Sequence, residues 1–468
     1  MDIIYTHKIR KLDEPDLKEA AVSGSKWLFL QEYEDEFGLN WRRADQEECI
    51  DSSYTNPGSY HSGTGGMIPW LLSMYELTGE DIYKEKAIKA GDRLIKTKDL
   101  KSARNLGAHL AGTPWAIYGG LTGEASAATM LYEATGIVRF KDFAIGIADE
   151  VKESAKEDDH GIVWCGEENY GLAGDSGTAL FLVYISQHYN TRAYDEVILK
   201  VMRKIISYAK RDEDNNLWWT GISPERYGGT KDFYAPGIEF GTTGIAYVLS
   251  EASKHLKGTE YDSEELWEAA VSGARHIQNL SIEIKEGANL LFANSDNKNI
   301  YYLGHCFGSM GVCKLFYSLY RVCPDDEKAQ WKEWIERFVN GILEKNAPYQ
   351  RSPGYWNNHN YCCGTTGLLN LFLALWAEFG NDHYLELAKD TANVLISNGF
   401  SEDGKGLRWY QHWTRVEPWD VHTYNGYIIG NAGNVANIAQ LSLALQGKYH
   451  VNRFIEEPFL ERIGEVNG

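Results

Sequence analysis

The chain has 468 residues, 43% hydrophobic and 24% charged, a composition typical of globular proteins and not of disordered ones. Its formal net charge of −20 disfavours nucleic-acid binding, which needs a basic surface, but permits a cationic peptide partner. The first residues lack the apolar core of a secretory signal, and no window approaches the roughly 18 apolar residues of a membrane span. We therefore expect a soluble cytoplasmic protein without a transmembrane segment.

A Gly-x-x-Gly turn followed by an apolar run recurs seven times. The turns open at residues 63, 120, 174, 241, 308, 364 and 430, at intervals of 54 to 67 residues. Each interval accommodates two helices of about 12–18 residues with their connections. We expect the glycines to allow positive φ and a close approach of neighbouring backbones.

The two helices of each repeat differ in their apolar pattern. The run after the turn is apolar nearly all round, as in GLLNLFLALW from Gly367, which is typical of a helix buried on most sides. The second helix is amphipathic, as in HYLELAKDTANVLIS, where Leu385, Ala388, Ala392 and Leu395 share one face. This predicts an all-α fold of seven helical hairpins, with a buried inner ring and an amphipathic outer ring.

Seven such hairpins can close into an α/α toroid, and an open solenoid is the competing arrangement. We expect one domain over residues 1–468, with an extra N-terminal helix at about 15–40. The alternation in Leu280–Leu303 predicts a short β-hairpin.

Three of the seven cysteines stand directly before predicted inner helices. Cys306 lies in GHCFGSMG and the adjacent pair Cys362 and Cys363 in NYCCGTTG. Neighbouring hairpins of a toroid bring such turns together, and three thiolates suit zinc with a fourth position left open. An odd cysteine count argues against a disulfide framework. We expect Cys49, Cys165, Cys313 and Cys323 to be small buried side chains.

With these motifs in place, the chain resembles the lanthionine synthetase C-like (LanC-like) cyclases along essentially its whole length. GHCFGSMG is similar to the first cysteine turn of that family, and WNNHNYCCGTTG to the second. Cys362-Cys363-Gly364 matches the Cys-Cys-Gly subgroup. The stretch Gly406 to Leu445 resembles the last repeat of the family.

The resemblance implies an α/α toroid and a zinc-dependent addition of a peptide cysteine to dehydroalanine or dehydrobutyrine, which forms (methyl)lanthionine. The implied partners are a dehydrated precursor peptide and a separate dehydratase or kinase/lyase. Zinc would be bound by Cys306, Cys362 and Cys363. A zinc-bound thiol is held as thiolate at neutral pH, which favours thiol activation over water activation.

Two of the positions that depart from the family pattern concern proton transfer. Where well-studied members have histidine before the fourth turn, and tyrosine or histidine after the first zinc cysteine, this chain has Phe240 and Phe307. Phenylalanine cannot move a proton, so the acid–base group must stand elsewhere. Our candidates are His305, Asp175 and Glu239, with His359 and His422 as further histidines in loops that face the predicted site.

Two other functions compete most directly with the cyclase, and a zinc prenyltransferase, which shares a helical toroid and thiol activation, is a weaker option. A carbohydrate-active α/α toroid, either a glycosidase or an epimerase, would use loop tryptophans for sugar stacking, but it leaves the three cysteines unexplained. The tryptophans in question are Trp164, Trp218, Trp219, Trp356, Trp409, Trp413 and Trp419. A non-catalytic LanC-like zinc protein would explain Phe240 and Phe307.

Overall fold

The computed structural model describes residues 3–4, 11–45, 57–100, 113–165, 169–222, 230, 233–351, 358–412, 421–448 and 454–457. Cys49, Trp356, Trp413 and Trp419 lie outside these residues. The described chain divides into two compact units. We call them the terminal unit, around residues 11–100, 118–143 and 358–457, and the central unit, around 113–117 and 144–351.

Each of the seven predicted turns opens an inner helix, with its first glycine as the N-cap. These helices are α2 (Thr64–Thr78), α4 (Leu121–Thr135), α6 (Asp175–His188), α8 (Thr242–Leu256), α10 (Ser309–Val322), α12 (Thr365–Phe379) and α14 (Asn431–Leu445). Residues all round these helices are buried, as their uninterrupted apolar pattern requires.

The remaining helices are amphipathic and form the outer partners. They are α1 (Glu14–Leu30), α3 (Asp81–Thr97), α5 (Val138–Glu153), α7 (Asp195–Ser207), α9 (Glu264–Leu280), α11 (Lys328–Glu344) and α13 (Asp382–Ser397). In the central unit α6 packs on α7, α8 on α9 and α10 on α11. In the terminal unit α2 packs on α3 and α12 on α13.

The N-terminal helix differs from the prediction in length and in role. It ends at Leu30, and the rest of the predicted segment forms a β-hairpin. It is also not an extra element, because α1 packs against α14 as the outer partner of the last inner helix. Two helices from opposite ends of the described chain thus form one hairpin-like pair.

Short antiparallel hairpins follow several outer helices, including the one predicted within Leu280–Leu303. The strands are β1 (Ile3–Ile4), β2 (Glu32–Asp35), β3 (Gly38–Trp41), β4 (Lys156–Asp158), β5 (Gly161–Val163), β6 (Lys210–Arg211), β7 (Leu217–Trp218), β8 (Ile282–Lys285), β9 (Ala288–Leu290), β10 (Gln350–Arg351), β11 (Gln411–His412) and β12 (Val421–His422). Of the described helices, none combines the length and apolarity needed to cross a bilayer.

The turn glycines are needed for close packing and not for positive φ, which corrects our expectation. The first glycine of each turn has φ between −106° and −156°, which any residue can adopt. At the second glycine of five turns, a Cβ would lie within 2.4 Å of a backbone carbonyl oxygen; these are Gly66, Gly177, Gly244, Gly311 and Gly433. A Cβ on Gly244 would overlap the carbonyl oxygen of Ile238, and one on Gly311 would overlap that of His305.

Candidate metal centre

Within each unit, backbone hydrogen bonds link neighbouring turns close to their first glycine. In the central unit the Ala173 N–H donates to the Glu239 carbonyl (2.9 Å), and the Glu239 N–H donates to the Cys306 carbonyl (3.0 Å). Glu239 and Cys306 each stand two residues before the first glycine of their turn, which we call position −2. These backbone hydrogen bonds therefore fix the location of the Cα atom at position −2, from which the side chain extends.

The terminal unit contains the same ladder. The Cys362 N–H donates to the Ile428 carbonyl (2.9 Å), the Ile428 N–H to the His61 carbonyl (3.1 Å), and the His61 N–H to the Tyr118 carbonyl (3.0 Å). All four residues occupy position −2. Cys362 is therefore the equivalent of Cys306 in its own unit, which the sequence frames Cys-Phe-Gly and Cys-Cys-Gly indicate directly.

Each cysteine is held in a buried turn. Cys306 is 3% exposed, and its sulfur lies 3.6 Å from the Tyr302 hydroxyl. Cys362 and Cys363 are 9% and 6% exposed, and the Cys363 N–H donates to Asn360 Oδ1 (2.8 Å). Hydrogen bonds from both sides thus fix the turn that carries the vicinal pair.

The sulfur atoms of Cys306, Cys362 and Cys363 lie within 4.8 Å of one another. Zinc binds thiolate sulfur at about 2.3 Å, so tetrahedral ligands sit about 3.8 Å apart, a separation that falls within the 4.8 Å limit found here. None of the three forms a disulfide. The donor set therefore fits a zinc ion with three sulfur ligands and one open position.

The other described cysteines do not join this cluster. Burial raises the pKa of the Cys313 thiol to about 12 and that of Cys323 to about 11, so both stay protonated. Cys313 donates to the Ser309 carbonyl (3.4 Å). Both are buried as predicted, whereas Cys165 is only half-buried.

The three proposed acid–base residues have different surroundings. His305 is buried and directly precedes Cys306 in the chain. Glu239 contacts the same turn through its backbone N–H, which donates to the Cys306 carbonyl. Asp175, the first residue of α6, accepts the backbone N–H groups of Trp164 (3.1 Å) and Cys165 (2.8 Å). Because this carboxylate binds a loop of its own repeat, its observed contacts are structural.

Neutral residues perform the same task as Asp175 in two other repeats. Thr242, at the start of α8, accepts the Trp219 N–H (3.0 Å), and Asn431, at the start of α14, accepts the Trp409 N–H (2.9 Å). Each of the three tryptophans also donates its indole N–H to a carbonyl of an outer helix. Trp164, Trp219 and Trp409 are buried by these contacts, so they are not available to stack on a sugar.

The two further candidate histidines, His422 and His359, also make contacts within the protein. His422 Nδ1 lies 3.4 Å from Asp45 Oδ1, and the His359 carbonyl accepts the Thr366 hydroxyl (2.6 Å). Burial lowers the pKa of His61 to about 4, so this imidazole is neutral at physiological pH.

Two features of the site were missed by the sequence analysis. Tyr302 reaches the Cys306 sulfur from four residues upstream, a local spacing that could have suggested the contact. In the terminal unit Glu456 and Glu457 accept hydrogen bonds from Tyr361, next to Cys362. No local pattern indicates that contact, because about 95 residues separate the partners.

Comparison with known proteins supports the resemblance. The family model described as "Lanthionine synthetase C-like protein" matches residues 45–356, two-thirds of the chain, and ends before Cys362 and Cys363. No curated protein matches. Among solved structures, nisin cyclase is similar with a TM-score of 0.57 and 14% identity, covering 83% of this chain and 89% of that one.

Two carbohydrate-active enzymes are less similar. Unsaturated glucuronyl hydrolase from Bacillus sp. GL1 has a TM-score of 0.48 and 13% identity, covering 96% of this chain and 100% of that one. The GH76A alpha-1,6-mannanase from Salegentibacter sp. HEL1_6 has a TM-score of 0.41 and 14% identity, covering 70% and 88%. Neither likeness is strong enough to support an inference.

The likeness to nisin cyclase confirms the predicted fold class, an all-α fold of the α/α-toroid type. At 14% identity it shows the fold alone. The family follows from the sequence match over two-thirds of the chain, together with the repeated glycine turns and the two cysteine turns. The chain belongs to the lanthionine synthetase C-like family.

Proposed function

We propose that this protein is a zinc-dependent lanthipeptide cyclase that adds a peptide cysteine to dehydroalanine or dehydrobutyrine. The observation that carries the proposal is the cluster of three thiols within 4.8 Å. Family membership and the fold shared with nisin cyclase support it. In the reaction the thiol loses its proton, and its sulfur forms a bond to the β-carbon as the carbon–carbon π bond breaks. The α-carbon then receives a proton, so that the number of protons is unchanged overall.

Cys306, Cys362 and Cys363 would hold the zinc ion through their sulfurs. When bound, zinc would lower the pKa of the substrate thiol and keep it as a nucleophilic thiolate. The Tyr302 hydroxyl, 3.6 Å from the Cys306 sulfur, can donate a hydrogen bond to that ligand and orient it. The low exposure of all three cysteines limits access of water to their sulfurs.

Proton transfer needs a group other than Phe240 and Phe307. We assign it to His305, because it is buried beside Cys306 in the same turn. Glu239 is the second candidate, and Asp175 ranks last because its carboxylate binds Trp164 and Cys165. His305→Ala should then slow thiol addition by about 10²–10⁴-fold while zinc content stays unchanged.

The proposed substrate is a dehydrated precursor peptide, supplied by a separate dehydratase or kinase/lyase. A net charge of −20 is compatible with a cationic peptide and disfavours nucleic acid as a partner. A cytoplasmic location and a single domain over 1–468 stay predictions.

The first test is the zinc content of the protein purified under reducing conditions. We expect about one zinc per chain, lost on Cys306→Ala, Cys362→Ala or Cys363→Ala and kept in the control Cys313→Ala, since Cys313 is buried outside the cluster. Zinc-free wild-type protein would contradict the proposal. The second test is addition of cysteine to a dehydrated peptide; a zinc-loaded protein without this activity would favour the non-catalytic alternative.

A further inference from the structure

The described C-terminal segment 454–457 packs onto turn residues of the terminal unit. The Phe454 ring stacks on Tyr60, with ring centroids 3.9 Å apart and planes inclined by 12°, and lies 5.9 Å from the Tyr118 ring. Tyr60 and Tyr118 stand just before the first two inner helices of the chain. The segment therefore belongs to the packed interior at the turn end of this unit.

The next residues of this segment place two carboxylates in the interior. Glu456 is fully buried and Glu457 is 3% exposed. Glu456 accepts from the Tyr118 hydroxyl, and the Tyr361 hydroxyl donates to Glu457 and lies 3.1 Å from Glu456 Oε1. Burying a carboxylate is costly unless hydrogen bonds compensate, so these contacts define where the segment lies.

Tyr361 connects the segment to the cysteines. It directly precedes Cys362, whose own N–H is bound by the Ile428 carbonyl. The Tyr361 ring also lies 5.8 Å from the Tyr427 ring. Because Tyr361 is held through its side chain and Cys362 through its backbone, releasing Tyr361 would leave the cysteine turn with only part of its support.

We propose that segment 454–457 positions the metal centre: Glu456 and Glu457 hold Tyr361, and thereby keep Cys362 and Cys363 ready to bind the ion. The expected effect on zinc affinity rests on the proposed zinc function. The segment itself acts through Tyr361. Hydrogen bonds that orient ligands in this way commonly change metal affinity by about 10–100-fold when removed.

The test compares four full-length variants. Glu456→Ala with Glu457→Ala removes both acceptors, Glu456→Gln with Glu457→Gln keeps an amide oxygen in each place, and Tyr361→Phe removes the shared hydroxyl. The matched control is Tyr194→Phe, which breaks a partly buried tyrosine–carboxylate hydrogen bond to Asp149 (2.8 Å), between the residue before α7 and helix α5.

Two readouts are taken: zinc affinity by competition with a chelator, and alkylation of each cysteine in metal-free protein by mass spectrometry. We expect the double alanine variant and Tyr361→Phe to bind zinc about 10–100-fold more weakly. Both should also alkylate faster at Cys362 and Cys363, with Cys313 unchanged. The double glutamine variant should recover most of the affinity.

Variants that match Tyr194→Phe in the alkylation of Cys362 and Cys363 would overturn the inference, whatever their thermal stability. Faster alkylation in a protein that binds no zinc would instead confirm the positioning role and reject the proposed zinc chemistry. The two hypotheses can therefore fail separately.

Discussion

The rings of Phe240 and Phe307 lie with their centroids 5.2 Å apart and their planes inclined by 36°. Tyr302 packs edge-on against Phe307 at 6.0 Å. The two positions at which related enzymes are expected to carry proton-transfer groups thus contact each other and form an apolar cluster beside Cys306.

Phe240 and Phe307 should be energetically coupled. Aromatic pairs at this distance contribute about 0.5–1.5 kcal/mol beyond the area that they bury. In a double-mutant cycle of Phe240→Leu and Phe307→Leu, we expect a coupling of this size in the free energy of unfolding measured by urea denaturation. Strictly additive effects would show that the ring contact adds nothing.

Asp175 should be more important for stability than for chemistry. Asp175→Ala leaves the buried N–H of Trp164 and the partly buried N–H of Cys165 without their acceptor, so we expect a loss of about 1–3 kcal/mol in the free energy of unfolding. Asp175→Asn keeps the acceptor oxygen and should retain both stability and thiol addition. A stable Asp175→Asn protein without activity would instead identify Asp175 as catalytic.

The packing of α1 against α14 can be tested with two leucines of α1. Leu28 is fully buried and Leu30 is 54% exposed. Leu28→Ala should lower the free energy of unfolding by about 2–5 kcal/mol, because it opens a cavity in the core. Leu30→Ala is the matched control and should change it by less than about 0.5 kcal/mol. Equal effects would mean that α1 is not an integral outer helix.

His61 should make the protein sensitive to acid. Burial lowers its pKa from 6.5 to about 4, so the unfolded chain takes up a proton at a higher pH than the folded one. Stability is therefore complete above pH 6.5 and falls as the pH drops towards 4, by about 3 kcal/mol. Burial lowers the pKa values of His255 and His276 in the same direction.

His61→Gln should reduce this slope, measured by urea denaturation at several pH values, whereas substitution of the exposed His160 should leave it unchanged. The backbone hydrogen bonds of His61 do not depend on its side chain. An unaltered slope in His61→Gln would show that other groups cause the acid sensitivity.

The helical framework was predictable because one short motif repeats. Each first glycine, from Gly63 to Gly430, is the N-cap of an inner helix. The second glycine of the motif recurs because a Cβ there would overlap a backbone carbonyl oxygen of the turn, as at Gly244 and Gly311. The role of α1 was not predictable, because no glycine turn precedes it and its partner lies about 400 residues away. The described β-strands all have two to four residues, and most are too short to show a period of two in the sequence.

The candidate site was predictable only in part. The cysteines were found because they recur in one frame before a helix, and the structure brings their sulfurs together. The contacts of Asp175 and the pairing of Tyr361 with Glu456 and Glu457 depend on side-chain direction and on distant chain segments. A local sequence pattern shows neither the direction of a side chain nor which distant segment it contacts.

The pairing of α1 with α14 has a consequence for synthesis of the protein. The ribosome delivers α1 about 400 residues before α14, so the apolar face that includes Leu28 emerges long before its partner exists. Segment 454–457 comes later still. The apolar face of α1 therefore stays without its partner helix through most of translation. The terminal unit can complete its packing only when almost the whole described chain has left the exit tunnel.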